Sequence, residues 1–448
     1  MNQNQVCYRA YVKGFLIAQS PFLTCGIEHL WDSETDLVFL RDNEGNPFLP
    51  GSSLAGVLRS LFKGVNGEEE LFGTDHKKMS EKNEVNSTSQ QNDSHQSCFI
   101  TYDCFLTTDS EPSFATRDGI RLEYDNKVTV PTAKYDYEIV ESGAKFDLKL
   151  ELVTRKVLYE DPKRRTALFT LFNSLIKEMS KGIYLGSKKN RGLGLFILEN
   201  PRIYEIYDED AYDKYVNFDW DNSDFSAYYN SRTAKEGALI EGKRYEEWNI
   251  EVSFPASILI RSYYGKDVKM LTSNGQPVIP GTSWGGLFRH EARRILIELG
   301  YADIADKKIE DMFGTSADEV TGKQTKHKDK KASKVAFSDT VIKNSKGFKQ
   351  TNVKIDRFTQ GSADSALFDQ QVVALGKTEL TIRYREEWMK DLLSLVLEDL
   401  SDGLIAIGGQ TSIGRGLCKL EKFKPSDHKA LFRELIDEKV IQNKGGAL

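Results

Sequence analysis

No apolar run in this 448-residue chain approaches the roughly 20 residues that a bilayer-crossing helix needs. The opening stretch, MNQNQVCYRAYVKGFLIAQS, lacks a basic region leading into an apolar one, so no secretory signal is expected and the cytoplasm is the default. Cysteine is scarce as well. Cys7, Cys25, Cys98, Cys104 and Cys418 are scattered, odd in number and without a C-x-x-C pair, which excludes a disulfide framework and a zinc knuckle and leaves reduced, buried thiols. Six histidines stand at no metal-ligand spacing.

Two families of catalytic motif are missing too. There is no G-x-x-x-x-G-K-[ST], so nucleotide hydrolysis on a phosphate loop is not indicated, and no G-x-S-x-G elbow supports a serine hydrolase. The balance of 61 Lys+Arg against 67 Asp+Glu excludes a generally polyanion-coating surface, so any nucleic-acid site must be local. Basic residues do cluster, in GSKKNRGLG (186–194) and KQTKHKDKKASK (323–334), while acid collects in YDEDAYDKYVNFDWDNSD (207–224). A run such as 323–334 also fits a merely solvated face.

What the chain does contain is repetition. FLPGSSLAGVLRSLF from Phe48 returns as VIPGTSWGGLFRHEA from Val278, with Pro50, Gly51, Ser53 and Arg59 matched by Pro280, Gly281, Ser283 and Arg289. ELFGT, ending at Thr74, returns as DMFGT, ending at Thr315. The segment 119–143 lies ungapped over 352–376, and GIYLGSKKNRGLGLFIL from Gly182 is echoed by GLIAIGGQTSIGRGLCKL from Gly403. Four landmarks in one order, at offsets of 230, 241, 233 and 224 positions, describe a tandem duplication.

Each half is long enough to bury its own core. The expected boundaries are a first domain over 1–205, an acidic linker or extension over 206–245, a second domain over 246–430 and a C-terminal tail over 431–448. A polar loop is expected near 75–97 and a basic one near 316–334. After each Pro-Gly turn, apolar residues recur at helical spacing (Leu54, Val57, Leu58, Leu61, Phe62; Trp284, Leu287, Phe288, Ile295), with Ser52 or Ser53 placed to cap. A second helix precedes each glycine loop, and Trp248, Ile250, Val252 and Phe254 alternate as a strand opening the second half. Strands interleaved with one early and one late helix predict an α+β class of two ferredoxin-like domains, the topology shared with RNA-recognition folds.

The chemistry is expected at three places. The Pro-Gly turn opens a helix whose free N–H groups form either a small anion site or a plain cap. In the glycine loop, Lys188, Lys189 and Arg191 put charge beside backbone that can approach a phosphate closely; the second copy keeps Arg415 but carries Gln410, Thr411 and Ser412. Upstream of each turn, Asp36 and Asp267 stand before short apolar runs. Such an aspartate could hold a divalent ion or orient a ribose 2′-OH, or simply be solvated.

These motifs resemble the RAMP (repeat-associated mysterious protein) superfamily of CRISPR-associated proteins, more narrowly the backbone subunits of type III RNA-targeting effector complexes. NPFLPGSSLAGVLRSLF, QPVIPGTSWGGLFRHEA, NVKIDRFTQGSADSALFDQQVV and SIGRGLCKL carry the resemblance. It implies two modified RNA-recognition domains with β-hairpin thumbs over 128–140 and 358–373. It implies guide CRISPR RNA contacts through Ser52, Ser53, Arg59, Lys188, Lys189, Arg191, Ser283, Arg289, Lys354, Arg357 and Arg415. It also implies single-stranded target RNA cut opposite each kink by Asp36 and Asp267 with Mg2+ or Mn2+.

The pattern of Asp, apolar residues, then Arg-Asp is complete at Asp36, Arg41 and Asp42, whereas Thr272 and Ser273 replace Arg-Asp in the second half. Conversely the IDR-x-T-x-G-x-A signature is present at Ile355, Asp356, Arg357, Thr359, Gly361 and Ala363, while the first half reads Leu122, Glu123, Tyr124. Two fused domains resemble type III-D-like subunits, and the implied partners are a large polymerase-like subunit, a small subunit and other RAMP subunits. Two alternatives stay open: a catalytically inactive RNA-binding backbone, and a metal-independent guide-processing ribonuclease with His29 and Tyr184 as candidates.

Overall fold

The computed structural model describes residues 5–25, 35–74, 96–120, 123, 129–130, 134–207, 211–235, 239–242, 244–262, 268–315 and 331–445, with 211, 363–367 and 440–445 described by backbone only. Asp267 and His29 lie outside the described residues, as do most of the expected loops near 75–97 and 316–334.

The first half is built from strands β1 (Val6–Ala18), β2 (Phe99–Thr101), β3 (Phe114–Gly119), β4 (Tyr135–Val140), β5 (Lys145–Arg155) and β6 (Leu195–Tyr207), with helices α1 (Gly51–Leu61) and α2 (Pro162–Lys181). Its sheet runs β2-β5-β1-β6, antiparallel throughout, which is the ferredoxin order with α1 between the first two strands and α2 between the last two. The apolar spacing read from the sequence places Leu54, Leu58 and Phe62 of the α1 segment in the core beside Leu168, Leu171, Phe172 and Leu175 of α2. Asp161 caps α2, accepting from the Lys163 and Arg164 amides at 2.9 and 3.2 Å ahead of Pro162 at the first helical position.

The second half repeats this with β7 (Glu246–Ser253), α3 (Gly281–Glu298), α4 (Ala302–Phe313), β8 (Ala336–Phe337), β9 (Lys346–Ile355), β10 (Ser362–Ala374), β11 (Lys377–Tyr384), α5 (Glu387–Ser401), β12 (Lys419–Glu421) and α6 (Lys429–Gly445). Its sheet order is β8-β11-β7-β12, and its core, centred on Trp284, Phe288, Leu392 and Val396, is separate from the first. Hairpins β3–β4 and β9–β10 stand off the two sheets.

Two details differ from the sequence reading. The helix after each Pro-Gly turn begins at the glycine, with Pro50 and Pro280 as N-caps and no side chain capping, so Ser52 and Ser53 sit inside the first turn as exposed groups. The glycine loops, aligned above on their arginines, match in space on their glycines. Leu185 N–H donates to Gly194 O at 2.8 Å and Ile407 N–H to Gly416 O at 3.0 Å, so the true offset is 222 positions. Gly194 and Gly416 adopt φ of 84° and 74°, and a Cβ there would stand 1.9 and 1.8 Å from those same partners' carbonyl oxygens. Arg191 therefore corresponds to Ile413, and Arg415 to the buried Leu193.

The acidic stretch after β6 folds back onto the first module. Tyr228 and Phe225 are buried, Phe218 stacks on Tyr11 with centroids 3.7 Å apart, and Lys13 donates to Trp220 O at 2.7 Å. The expected C-terminal tail is instead helix α6, which buries Leu431 and Leu435 in the second core and pairs Glu434 with Lys308 at 2.5 Å.

Candidate nucleic-acid interface

In the first module, α1 and the glycine loop face each other across an open groove of about 470 Å³, lined by Thr24, Cys25, Leu40, Ser53, Gly56, Val57, Ser60, Gly186, Ser187 and Lys189. The loop is held open by its own backbone. Lys188 at φ 55° and Gly192 at φ 87° flank a single 3-10 turn, and Ser187 N–H donates to Leu23 O at 2.7 Å. Lys189 lines the groove, and its ammonium makes no hydrogen bond or ion pair among the described residues. Burial pulls its pKa down, because nothing there compensates a desolvated charge.

Its two basic neighbours are already engaged. Lys188 donates to Tyr135 Oη at 2.8 Å and lies 4.4 and 4.3 Å from the rings of Tyr135 and Tyr137; Arg191 reaches the same hydroxyl at 3.3 Å. Burial raises the Tyr135 pKa, but the two cations outweigh it and the net shift is downward. The loop is thus tied to hairpin β3–β4, leaving Lys189 as the cation in the groove.

Arg59 and Arg289 are placed differently from the sequence expectation. Arg59 bonds Glu68 at 2.9 Å and Gly73 O at 3.0 Å, and Arg289 bonds Gly314 O at 3.3 Å. Each arginine of the Pro-Gly helix clamps the Phe-Gly-Thr turn of its own half, which explains why those two landmarks recur together. Arg415 is 4% exposed and turned inward, its Nη2 2.5 Å from Gln350 Oε1 and 3.4 Å from Gln370 Oε1, with Nε and Nη1 buried without partners. Ser283 sits in the first turn of α3, half-buried, and Lys354 and Arg357 are exposed toward the end of hairpin β9–β10.

At that end, Asp356 accepts from the Phe358 and Thr359 amides at 2.9 and 2.8 Å, so the Asp and Thr of the IDR-x-T signature build the turn itself. The turn presents Phe358, 97% exposed, between Arg357 and the polar strand ends.

Asp36 lies where its loop meets the first hairpin: Asp36 Oδ2 accepts from the Asp136 amide at 2.9 Å, and Leu37 bridges Tyr137 in parallel register. Asp118 and Asp136 are direct cross-strand partners, with Lys134 3.2 and 3.9 Å from their carboxylates. The hydrogen bond shared with Asp118, then burial, then the Asp118 charge raise the pKa of Asp136. Arg41 bonds Glu138 at 3.0 Å and covers the Phe39 ring, while Asp42 accepts from Glu44 and Asn46 amides at 2.9 Å. That Arg-Asp pair braces the loop. In the second hairpin Thr351 replaces Asp118, and Asp369 is neutralised by Lys349 at 2.6 Å. Among the described residues no group of three or more His, Cys, Asp or Glu is arranged to hold a metal by itself.

The open sheet faces, where RNA-recognition folds stack bases, are not available for that here. Phe218, Trp220 and Phe225 cover the first. The second presents Glu247, Asn249, Glu251, Glu379 and Glu421, with Lys377 and Lys419, and among the described residues no aromatic platform.

Sequence reasoning missed the partners of the Pro-Gly turns. Asp103 accepts from Gly51 N–H at 2.7 Å, and Asp339 from Gly281 N–H at 2.8 Å, so an aspartate of the chain occupies each helix start. The signal was present as TYDC against FSDT, outside the four landmarks. Tyr184, candidate for a metal-independent cut, lies under the Arg383 guanidinium at 3.6 Å in the joint between modules.

A family model described as RAMPs, the RAMP superfamily, matches the chain twice, over residues 32–197 and 264–419. Curated proteins yield no significant match. No helix among the described residues is long and apolar enough to cross a membrane.

Proposed function

The chain belongs to the RAMP superfamily, whose members are CRISPR-associated, bind CRISPR RNA and work in multi-subunit complexes, and from that premise we propose that it is a guide-RNA-binding backbone subunit of a type III effector that cuts complementary target RNA at Asp36. The observation that carries the RNA reading is the groove between α1 and the glycine loop, with Lys189 as its uncompensated cation. A phosphate there would supply the counter-charge that Lys189 lacks, and Ser187 on the loop with Ser53 and Ser60 on α1 supply hydroxyls from both walls. Phe358 is suited to wedge between stacked bases of a guide–target duplex passing the second hairpin.

Cutting would use Asp36. The residues present fit a divalent ion brought in with substrate, since Mg2+ is commonly bound by one or two carboxylates plus phosphate oxygens. Asp36 would hold it, with Asp118 and Asp136, whose mutual repulsion such a charge relieves, close by. When bound, the ion supplies stabilisation of charge on the phosphate under attack. Asp36 itself keeps its loop against the hairpin, and Lys134 holds Asp118 and Asp136 in place. The same reading covers Asp267 of the second module by sequence alone.

A catalytically silent backbone is favoured by one observation, that Asp36 already serves the Asp136 amide. The assembled complex with guide, complementary RNA and Mg2+ decides between them. Loss of cleavage at a defined position on Asp36→Ala, with guide retention unchanged, supports cutting; unchanged cleavage in Asp36→Ala with Asp267→Ala assigns catalysis to another subunit.

A further inference from the structure

The two modules meet head to tail. Arg117 of hairpin β3–β4 extends from the first module and brings Nη1 to 2.5 Å from Asp339 Oδ2, at the start of α3 in the second. Both side chains are buried, 3% and 7% exposed. Around them Ser273 donates to Glu141, Asn274 Nδ2 donates to Ser142 O at 3.1 Å, and Arg383 donates to Lys189 O at 2.9 Å. A Cβ on Gly281 would stand 2.3 Å from the module's own Phe337 carbonyl oxygen and 2.6 Å from the Arg191 backbone, so glycine there fits both its own module and the close approach of the first module's loop.

The first module carries the same receptor at its own head. Asp103 is bonded to the Gly51 amide as Asp339 is to Gly281, but Asp103 is exposed, and among the described residues no cation meets its second oxygen. Tyr102 and Phe105 beside it are 38% and 49% exposed, an apolar fringe of the kind an interface covers. The second module lacks the matching plug. Arg117 lies opposite Tyr137 in its hairpin, and the residue at that register in the other, opposite Gln370, is Gln350. Arg415, next to it, is turned inward.

We propose that Asp103 is the docking point for a separate RAMP-fold subunit that carries a cationic side chain where this chain carries Arg117, and that Gln350 keeps copies of this chain from joining head to tail. An unpaired carboxylate at one end and a neutral amide at the other make the ends non-complementary, so discrimination comes from a missing ion pair. The proposal rests on the reading of the chain as one subunit of an assembly.

The test needs no RNA and no partner. Gln350→Arg with Arg415→Leu rebuilds, on the second module, the Arg117 and Leu193 of the first. In sedimentation velocity the wild-type chain is expected to run as a monomer. The double variant should self-associate at least tenfold more tightly, and adding Asp103→Ala should return it to monomer. A folded double variant that stays monomeric overturns the proposal. So does association that survives Asp103→Ala, or wild-type association that depends on Asp103. If the double variant melts without a cooperative transition, Asp103→Lys with Gln350→Asp reverses the pair: self-association at least tenfold tighter than that of Asp103→Lys alone supports the proposal, and a folded variant that stays monomeric overturns it. Guide binding, measured separately, judges the RNA reading independently of this result.

Discussion

Arg59 Nη2 lies 3.0 Å from the carbonyl of Gly73, and 230 positions later Arg289 makes the same bond to Gly314. The repeated arginine therefore belongs to the module's scaffold, although its place beside the Pro-Gly turn suggested an RNA contact. Arg59→Ala removes that bond and the 2.9 Å ion pair with the buried Glu68, which also accepts from the Gly64 amide. The expected loss is about 2 kcal/mol in urea unfolding. Guide affinity of the folded variant should stay within a factor of about two, since a cost below 0.5 kcal/mol is expected for a residue off the interface.

The joint between modules should respond more sharply. Removing Arg117 strands the Asp339 carboxylate in a buried site, so Arg117→Ala is expected to cost about 3–5 kcal/mol. Arg117→Met with Asp339→Asn removes both charges and keeps an acceptor for the Gly281 amide. Its stability should recover most of the loss. Thermal melts of the two variants check this, and a double variant as unstable as the single would mean that packing, not the stranded charge, sets the cost.

Lys189 and Arg415 provide a matched pair for the RNA site. Lys189→Ala should weaken guide binding about tenfold at moderate salt and lower the slope of log K against log salt by about one, as loss of one phosphate contact does. Arg415→Leu, at a position where the first module carries Leu193, should leave that slope unchanged. Filter binding across a salt series separates them.

The duplication, the ferredoxin order and both core helices were legible because they rest on glycine, proline and apolar periodicity, which act locally. Gly194 and Gly416 could be matched to each other from sequence, yet aligning Arg191 with Arg415 put the loop out of register by two. Charge can be supplied from several neighbouring positions, whereas a positive φ cannot. Arg117 and Asp339, 222 residues apart, were invisible for another reason: each is a common surface residue until the other module covers it. The folded-back segment around Phe218, Trp220 and Tyr228 looked like linker because its aromatics follow no single period; they fill a sheet face laid down two hundred residues earlier.

A pH dependence of stability is expected from Asp399 on α5. Burial first, then the hydrogen bond with Glu291 and its charge, push the Asp399 pKa up to about 6, with Arg294 opposing. The folded chain therefore holds a proton there that the unfolded chain, at an ordinary carboxylate pKa near 4, releases. Between about pH 4 and pH 6 the native state binds more protons than the unfolded one, so this group makes stability fall as pH rises, and the penalty is complete above pH 6. Asp399→Asn keeps the acceptor that Arg294 Nη2 uses at 3.2 Å and removes the charge that crowds Glu291. The variant should be more stable than wild type at pH 7.5, by about 3 kcal/mol at most and by less where solvent screens the partly exposed group, and no more stable at pH 4. Denaturant midpoints at the two pH values check it; a gain that is equal at both would show that the amide packs better and that titration of Asp399 has no part in it.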